Sequence, residues 1–166
     1  MQRYFIESPG NNENEFIVTG ENARHISKVM RMTVGEEIII VHENVANICE
    51  IVEIDQDVRV KKTGQTIPSP EMPLKVDIAC GLPKGDKLEL IAQKATELGM
   101  YGMIPFAAER SIVKWDAKKA KKNQERLQKI AQEAAEQSHR TRIPQVEEPI
   151  SFKQLIQKFA KYDAIF

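Results

Sequence analysis

Four side chains in the second half of the chain could act on a reaction centre that becomes negatively charged. Glu109 and Arg110 follow an apolar run at residues 102–107, and Gln137 and Arg140 lie three residues apart near the end of a predicted helix. A guanidinium stabilises developing negative charge, and a carboxylate or amide can steer a proton. We assign the first role to Arg110 and Arg140 and the second to Glu109 and Gln137, as hypotheses. The alternative is that Glu109, Arg110, Glu136 and Arg140 form ordinary ion pairs that hold a loop against a helix.

Two predicted strands position the first pair of these side chains. Residues 74–79 and 102–107 are apolar runs of strand length, and the segment between them has helical periodicity. A strand, helix and strand of this length predict two parallel strands joined by a right-handed crossover. The loops at residues 81–84 and 108–114 should therefore leave the same edge of one sheet, where α/β proteins build their sites.

The helix between these strands has a recognisable start and stop. Asp86 can cap its first turn, with Glu89 three residues later as in a capping box, and Gly99 is a typical helix terminator. The apolar stripe has three-then-four spacing and comprises Leu88, Ile91, Ala95 and Leu98. We expect this stripe to pack on the sheet.

The composition is that of an ordinary globular protein. Of 166 residues, 42% are apolar and 29% are charged, with a formal net charge of zero. The charges are unevenly distributed, because residues 1–67 contain 7 Lys and Arg against 11 Asp and Glu, whereas residues 68–166 contain 17 against 13. Local basic patches therefore permit a nucleic-acid partner, although the overall charge does not require one.

Several classes of protein are disfavoured by what the sequence lacks. No apolar run approaches the ~20 residues of a membrane span, and the first ten residues do not resemble a signal peptide. Cys49 and Cys80 are far apart and have no further ligand at zinc-site spacing. We therefore expect no metal site, no membrane and a reducing cytoplasm.

The N-terminal part is predicted to be a small β-rich domain with one helix. Short runs rich in Val and Ile, separated by turn residues, occur at residues 4–6, 16–19, 37–42, 46–54 and 58–62. Closely spaced short strands of this kind favour a small barrel. The helix is predicted at residues 20–32, and the proline-containing segment 63–73 marks a domain boundary.

The predicted N-terminal helix has a row of cations. Arg24, Lys28 and Arg31 follow one another at spacings of four and three, which places them on one helix face. Such a row could follow the phosphates of an RNA strand. The alternative is an ordinary solvated face.

Three more residues could contribute to RNA binding. Arg3 and Tyr4 could offer a cation and an aromatic surface for an unpaired base, and His25 lies beside the cation row. The alternatives are that Tyr4 anchors the core and that His25 is structural.

A second basic patch opens the long helix predicted at residues 116–139. It includes Lys118 and Lys122 within a lysine-rich stretch from Lys114 to Lys129. Lysine at a helix N-terminus opposes the helix dipole, which favours a role other than helix stability. We interpret the patch as a contact for the RNA backbone, with a solvated face as the alternative.

The C-terminal part is predicted to contain a third helix and a final strand. Ser151 can cap a helix that extends to about residue 161, with Phe152, Leu155, Ile156 and Phe159 buried. Residues 162–166 are predicted to be an apolar strand. Because a core strand needs cover on both faces, we expect the natural protein to continue beyond it.

Five segments in this order resemble one known family. They are MQRYFI, HISKVMRMTVGEEI, LPKGDKLELIAQKATELGM, IPFAAERSIVKW and RLQKIAQEAAEQSHRTRIPQV. The chain is similar to the N-terminal two-thirds of the bacterial 16S ribosomal RNA uridine N3-methyltransferases of the RsmE family, within the SPOUT superfamily. The family's GPEGG loop and its later LG-x-R-I-L-R segment have no counterpart here.

This resemblance implies a fold class, a cofactor and partners. It implies a PUA-like RNA-binding β-barrel at residues 1–68, a linker at 69–73 and an incomplete SPOUT α/β domain at 74–166. It also implies S-adenosyl-L-methionine in a trefoil knot, a homodimer formed by the α/β domain, and small-subunit ribosomal RNA as substrate. Because the main cofactor loops have no counterpart, only Leu82 and Lys84 are cofactor-binding candidates.

The resemblance also gives the four polar side chains a specific substrate. Methylation of uracil N3 requires an unpaired base and loss of the N3 proton, and negative charge spreads over O2, N3 and O4. Arg110 and Arg140 would stabilise that charge, and Glu109 and Gln137 would steer the proton. The first rival interpretation is a non-catalytic RNA-binding module or ribosome assembly factor. The second is a small domain that contacts only proteins.

Overall fold

The computed structural model describes residues 1–7, 12–108 and 115–166. The chain forms two units: residues 1–70 with 139–141, and residues 71–138 with 142–166. The division at Pro70 falls inside the predicted linker. The inclusion of residues 139–141 in the first unit was not predicted, because these residues follow a long helix of the second unit.

The first unit is built on a five-stranded sheet. The strands are β1 Arg3–Phe5, β2 Glu15–Val18, β3 Glu37–His42, β4 Val45–Ile54 and β5 Val58–Ile67, in the spatial order β1-β3-β4-β5-β2. Strand β1 runs parallel to β3, and the other pairs are antiparallel. Side chains alternate across the sheet, so that Ile38 and Ile40 enter the main core while Ile39 and Val41 pack with Ala46.

The predicted helix at residues 20–32 is shorter and less regular than expected. An α-helix, α1 Gly20–Arg24, continues as a π-helical turn, His25–Val29. Arg31 then has a φ of 53°, in the left-handed region that ends helices. The prediction failed here because side-chain periodicity does not reveal a change from i−4 to i−5 backbone hydrogen bonding.

The second unit packs helices against a small parallel sheet. Its elements are β6 Asp77–Gly81, α2 Lys87–Glu97, β7 Gly102–Ala107, α3 Ala117–Gln137, β8 Gln145–Val146, β9 Ile150–Ser151 and α4 Phe152–Lys158, followed by a 3₁₀ turn, Phe159–Lys161. Strand β7 pairs in parallel with β6 on one side and with β8 and β9 on the other. The predicted parallel strand–helix–strand unit is confirmed. The core lies between α2, α3 and the sheet, where Ala92 and Ala131 are fully buried.

Four helix ends bear on the capping predictions. Ser151 forms a capping box with Gln154, as its position predicted, and Gly99 has a φ of 99°. Asp116 caps α3 by accepting a hydrogen bond from the backbone N–H of Lys119 at 2.8 Å. Asp86 occupies the N-cap position of α2 but makes no side-chain capping bond, so the capping box predicted there is wrong.

Other predictions for the second unit need correction. Strand β6 lies three residues later at its start than predicted, which leaves Leu74 at 74% exposure. Leu98 is 80% exposed because it follows the last turn of α2, and Phe152 and Ile156 are exposed on α4. Residues 162–166 form no strand. Within the described ranges, no helix combines the length and hydropathy needed to cross a bilayer.

Candidate functional site

The carboxyl ends of three parallel strands meet at one edge of the second unit's sheet. Gly81 at the end of β6 pairs with Phe106 of β7, and Ile150 of β9 pairs with the same Phe106. The loop after β6 and the start of α4 therefore lie at the same edge as the end of β7, and we call this edge the carboxyl rim. Of the second predicted loop, only Ala108 belongs to the described residues.

The described part of the carboxyl rim is apolar. Leu82 is 7% exposed and its backbone N–H donates to the carbonyl of Phe106 at 3.0 Å. The rings of Phe106 and Phe152 lie 5.8 Å apart, and Phe152 is 42% exposed. Of the two predicted cofactor contacts, Leu82 belongs to the core, whereas Lys84 is exposed beside Gly85. Sequence reasoning missed Phe152 because its helical spacing indicated burial.

The predicted catalytic side chains fall in different parts of the structure. Glu109 and Arg110 lie outside the described residues. Gln137 is the last residue of α3, in the second unit, and is exposed. Arg140 belongs to the first unit and is 4% exposed.

The main chain of Arg140 is held by a residue from the start of the chain. The Nη1 of Arg3 donates to the carbonyl oxygen of Arg140 at 2.7 Å, and both residues belong to the first unit. Arg3 is 5% exposed, and this burial lowers the pKa of its guanidinium. The prediction that Arg3 offers a surface cation to RNA is therefore wrong for this structure.

Tyr4 is also directed inward. It is 3% exposed, and its hydroxyl lies 2.9 Å from Nδ1 of His25, with the two rings edge-on at 5.8 Å. The ring is packed in the core of the first unit and against His25, so it has no free face for a base. The stacking prediction is therefore wrong, and the core-anchor alternative is correct. His25 remains partly exposed, within the π-helical turn.

The cations Arg24, Lys28 and Arg31 form an exposed group, which we call the cation row. All three are exposed, and none forms an ion pair with any residue that the structure describes. The row does not lie on a regular helix, because it runs from α1 through the π-helical turn to Arg31. Three exposed apolar side chains occur in the same segment: Val29, Met30 and Val34. Exposed cations without an ion-pair partner can contact a polyanion such as a nucleic-acid backbone.

The basic patch on α3 is likewise exposed. Lys118 and Lys122 are exposed in the first two turns, and neither is ion-paired within the described part of the chain. Further along, Arg126 pairs with Glu89 at 2.8 Å. The first turns of α3 therefore have free positive charge, whereas part of the later patch serves helix packing.

The described residues contain no group of three or more His, Cys, Asp or Glu side chains that could hold a metal ion. Cys49 is buried, and burial raises the pKa of its thiol to about 11. Such a thiol is protonated and unreactive at neutral pH.

Two family models match this chain. Residues 70–166 match a model described as an RNA methyltransferase domain, and residues 18–61 match one described as an RNA methyltransferase PUA domain. The chain belongs to the RsmE family of RNA methyltransferases. The predicted fold class, a PUA-like unit followed by a SPOUT α/β domain, is confirmed for this RsmE-family chain.

Individual proteins named ribosomal RNA small subunit methyltransferase E are also similar to this chain in sequence. The ribosomal RNA small subunit methyltransferase E of Bacillus subtilis is 49% identical over 168 residues, which cover 98% of this chain and 66% of the relative. The protein of that name from Mycobacterium tuberculosis is 28% identical over 146 residues, which cover 86% of this chain and 55% of the relative. This chain thus spans just under two thirds of the Bacillus relative's length.

Solved structures of similar proteins support the fold. A ribosomal RNA small subunit methyltransferase E from Neisseria gonorrhoeae, bound to S-adenosyl methionine, has a TM-score of 0.83 and 25% identity, with 95% of this chain and 66% of that chain covered. A methyltransferase from Legionella pneumophila in complex with the same cofactor has a TM-score of 0.80 and 27% identity, with 95% and 67% covered.

Proposed function

We propose that this RsmE-family protein transfers a methyl group from S-adenosylmethionine to N3 of a uridine in small-subunit ribosomal RNA. The observation that carries the proposal is 49% identity to the Bacillus subtilis methyltransferase across 98% of this chain. The cofactor-bound structures of two relatives support the choice of methyl donor. The choice of uracil N3 rests on the resemblance of the sequence segments described above.

The carboxyl rim fits the proposed cofactor. S-adenosylmethionine supplies an electrophilic methyl group and carries a flat adenine ring. An exposed aromatic face at the carboxyl ends of parallel strands, such as that of Phe152, suits a flat ring. We propose Phe152 as an additional contact and retain Lys84 as a candidate, while Leu82 contributes through the backbone and the core.

The proposed contacts with RNA are the exposed cations. Arg24, Lys28 and Arg31 would follow phosphates from the first unit, with His25 as a neighbouring polar contact. Lys118 and Lys122 would do the same from the second unit. Each phosphate contact contributes about 0.7–0.9 to the slope of log binding constant against log salt concentration.

The proposed chemistry at the base uses the four polar side chains. Arg110 and Arg140 would stabilise the charge on O2 and O4 as the N3 proton leaves. Because Arg140 is 4% exposed, it would do so from the wall of the pocket that receives the unpaired base and not as a surface cation. Glu109 and Gln137 would orient that proton.

The resemblance further supports a homodimer in the cytoplasm. Light scattering of the purified protein tests the dimer, because the measured mass should be twice that of one chain.

Methyl transfer is tested directly with the full-length protein, labelled S-adenosylmethionine and unmethylated small ribosomal subunits. Digestion of the RNA and mass spectrometry of the nucleosides should show labelled 3-methyluridine. Label on another nucleoside would contradict the N3 assignment. Salt-dependent RNA binding with no methyl transfer would instead favour the non-catalytic RNA-binding module.

The cation row provides a matched test of the RNA surface. Replacing Arg24, Lys28 and Arg31 together by Gln should lower the salt slope by about 2–3 and weaken RNA binding at low salt. The control is Arg59→Gln, because Arg59 is a half-exposed arginine of the same unit that pairs with Glu53 at 2.7 Å. An unchanged slope in the triple variant would refute the assignment of the row to RNA.

A further inference from the structure

Arg3 is a buried arginine whose guanidinium has few hydrogen-bond partners among the described residues. Its guanidinium makes the hydrogen bond from Nη1 to the Arg140 carbonyl, while its Nε is buried without a partner. No carboxylate among the residues that the structure describes pairs with it. Burying an unpaired cation opposes folding, so ordinary core packing would favour an apolar side chain at this position.

The guanidinium of Arg3 makes one strong hydrogen bond, to the carbonyl oxygen of Arg140. A charged donor makes a shorter and stronger hydrogen bond to a carbonyl than a neutral donor does, and the 2.7 Å distance agrees with this. The two residues are 137 positions apart in sequence. The bond therefore fixes a distant segment, and local structure does not require it.

The segment at residues 139–141, which contains Arg140, makes a second hydrogen bond within the first unit. The hydroxyl groups of Ser69 and Thr141 lie 2.9 Å apart, and Thr141 is 2% exposed. His139 has a φ of 58°, so the main chain turns sharply just before Arg140. Residues 139–141 thus leave a helix of the second unit and are bound within the first.

We propose that Arg3 is a positioning residue for methyl transfer, which fixes the main chain of Arg140 and thereby the direction of the Arg140 side chain. The inference rests on the proposed function. It adds a second task for the PUA-like unit: besides its cation row, this unit fixes the residue proposed to stabilise charge on the base. Small errors in the position of a charge-stabilising group cost large factors in rate.

This role predicts a specific kinetic signature. Arg3 donates to the Arg140 carbonyl and is proposed to act through Arg140 and not on the RNA itself, so its loss should lower kcat and leave KM for RNA nearly unchanged. Loss of cations from the cation row should raise KM. A purely structural role for Arg3 would also lower the apparent kcat, because replacing Arg3 would lower the fraction of folded protein. The measured kcat is therefore divided by the folded fraction, obtained from circular dichroism at the assay temperature, and only a loss that remains after this correction supports the positioning role.

The test compares three variants of the full-length protein. Arg3→Met should lower kcat about tenfold or more while KM stays within about twofold. Arg3→Lys should recover part of that loss, because one ammonium donor can still reach the carbonyl. Arg59→Met removes the same charge from an exposed site of the same unit and should leave kcat unchanged.

A second measurement does not depend on activity. Hydrogen exchange of peptides covering residues 138–143 should be faster in Arg3→Met than in the parent protein, with intermediate exchange in Arg3→Lys. Unchanged exchange would overturn the proposal, as would a normal kcat or a loss confined to KM. If Arg3→Met fails to fold, the Arg3→Lys variant decides by the same criteria. If the parent protein has no methyltransferase activity, the proposed function is refuted. Faster hydrogen exchange in Arg3→Met would then show that Arg3 has only a structural role, which also overturns the positioning role.

Discussion

The two units of this protein use their large apolar side chains differently. In the first unit, Phe16, Ile26, Ile38 and Ile40 are at most 2% exposed, and the surface segment that follows α1 has free cations. In the second unit, Leu98 is 80% exposed, and Leu74, Phe152 and Ile156 are also exposed. Both units have a buried core and some exposed apolar side chains. In the first unit these include Val29, Met30 and Val34 beside the cation row, whereas among the described residues of the second unit they are more numerous and include larger side chains.

An apolar groove in the second unit illustrates the difference. It has a volume of about 370 Å³ and is lined by Met72, Val76, Ile91, Leu98 and Met100, among others. The stalk of Lys94 completes the apolar lining. The comparison shows that side-chain type and spacing predict which residues prefer burial, but the rest of the structure decides whether they are buried.

The largest expected effect comes from truncating one core side chain of the first unit. Phe16→Ala should lower the free energy of unfolding by about 3–5 kcal/mol, because it removes a buried ring and leaves a cavity. Phe16 also packs edge-on against His42 and lies under the ammonium group of Lys62. Chemical denaturation followed by circular dichroism measures the loss.

The matched control in the second unit is Leu98→Ala. At 80% exposure, this leucine should contribute no more than about 0.5 kcal/mol. A cost above about 2 kcal/mol would show that Leu98 is covered in solution, and the contrast between the units would then fail at this position.

The second prediction concerns close packing at the start of β7. A Cβ added at Gly102 would lie 2.7 Å from Oδ1 of Asp77, whose other carboxylate oxygen accepts a hydrogen bond from the Tyr162 hydroxyl. Because the carboxylate is held, Gly102→Ala should destabilise the protein by about 1–3 kcal/mol. Gly81→Ala is the control, since its Cβ would meet the Phe106 ring at an ordinary 3.6 Å. Equal melting temperatures for the two variants would contradict the prediction.

The sequence predicted the elements with strong local patterns. The bounds of β3 and β7 agree with the prediction, and α2 begins one residue after its predicted cap. In these segments, alternation or helical spacing coincides with actual burial. The parallel pairing of β6 and β7 also followed, because a helical crossover of this length allows little else.

The predictions that failed depended on distant contacts. Arg3 and Tyr4 resemble surface residues in sequence, but partners at Arg140 and His25 bind them inside the first unit. The π-helical turn is a matter of backbone hydrogen bonding, which side-chain spacing does not encode. The exposure of Phe152 depends on what packs against α4. No local pattern contains this information.

The third prediction concerns helix caps in the two units. Ser151 accepts a hydrogen bond from the N–H of Gln154 and Asp116 one from Lys119, both in the second unit. Thr19, at the start of α1 in the first unit, makes no such bond. Ser151→Ala and Asp116→Ala should each cost about 1 kcal/mol, and Thr19→Ala much less. Thermal unfolding of the three single variants measures this order, and a larger loss for Thr19→Ala would reverse it.

The smallest expected effect is pH-dependent and lies near the end of the chain. The Tyr162 hydroxyl donates to Oδ2 of Asp77 at 2.6 Å. Partial burial, this hydrogen bond and the charges of Asp77 and Glu147 raise the pKa of Tyr162 to about 12. Tyr162→Phe should cost about 0.5 kcal/mol at neutral pH, at the low end for a hydrogen bond because the site is partly solvated.

The sign of the pH dependence follows from the raised pKa of Tyr162. In the unfolded chain a tyrosine ionises near pH 10, whereas in the folded protein Tyr162 keeps its proton to about pH 12. The stabilisation by Tyr162 is therefore complete below pH 10 and is lost as the pH rises to 12. The difference in unfolding free energy between the parent and Tyr162→Phe should fall across this window, while the titration of other groups cancels. Asp77→Asn keeps an acceptor but removes the charge, so it should narrow the window. A difference that stays constant from pH 9 to 12 would mean that folding does not change the pKa of Tyr162, and that its hydroxyl is solvated in the second unit as fully as in the unfolded chain.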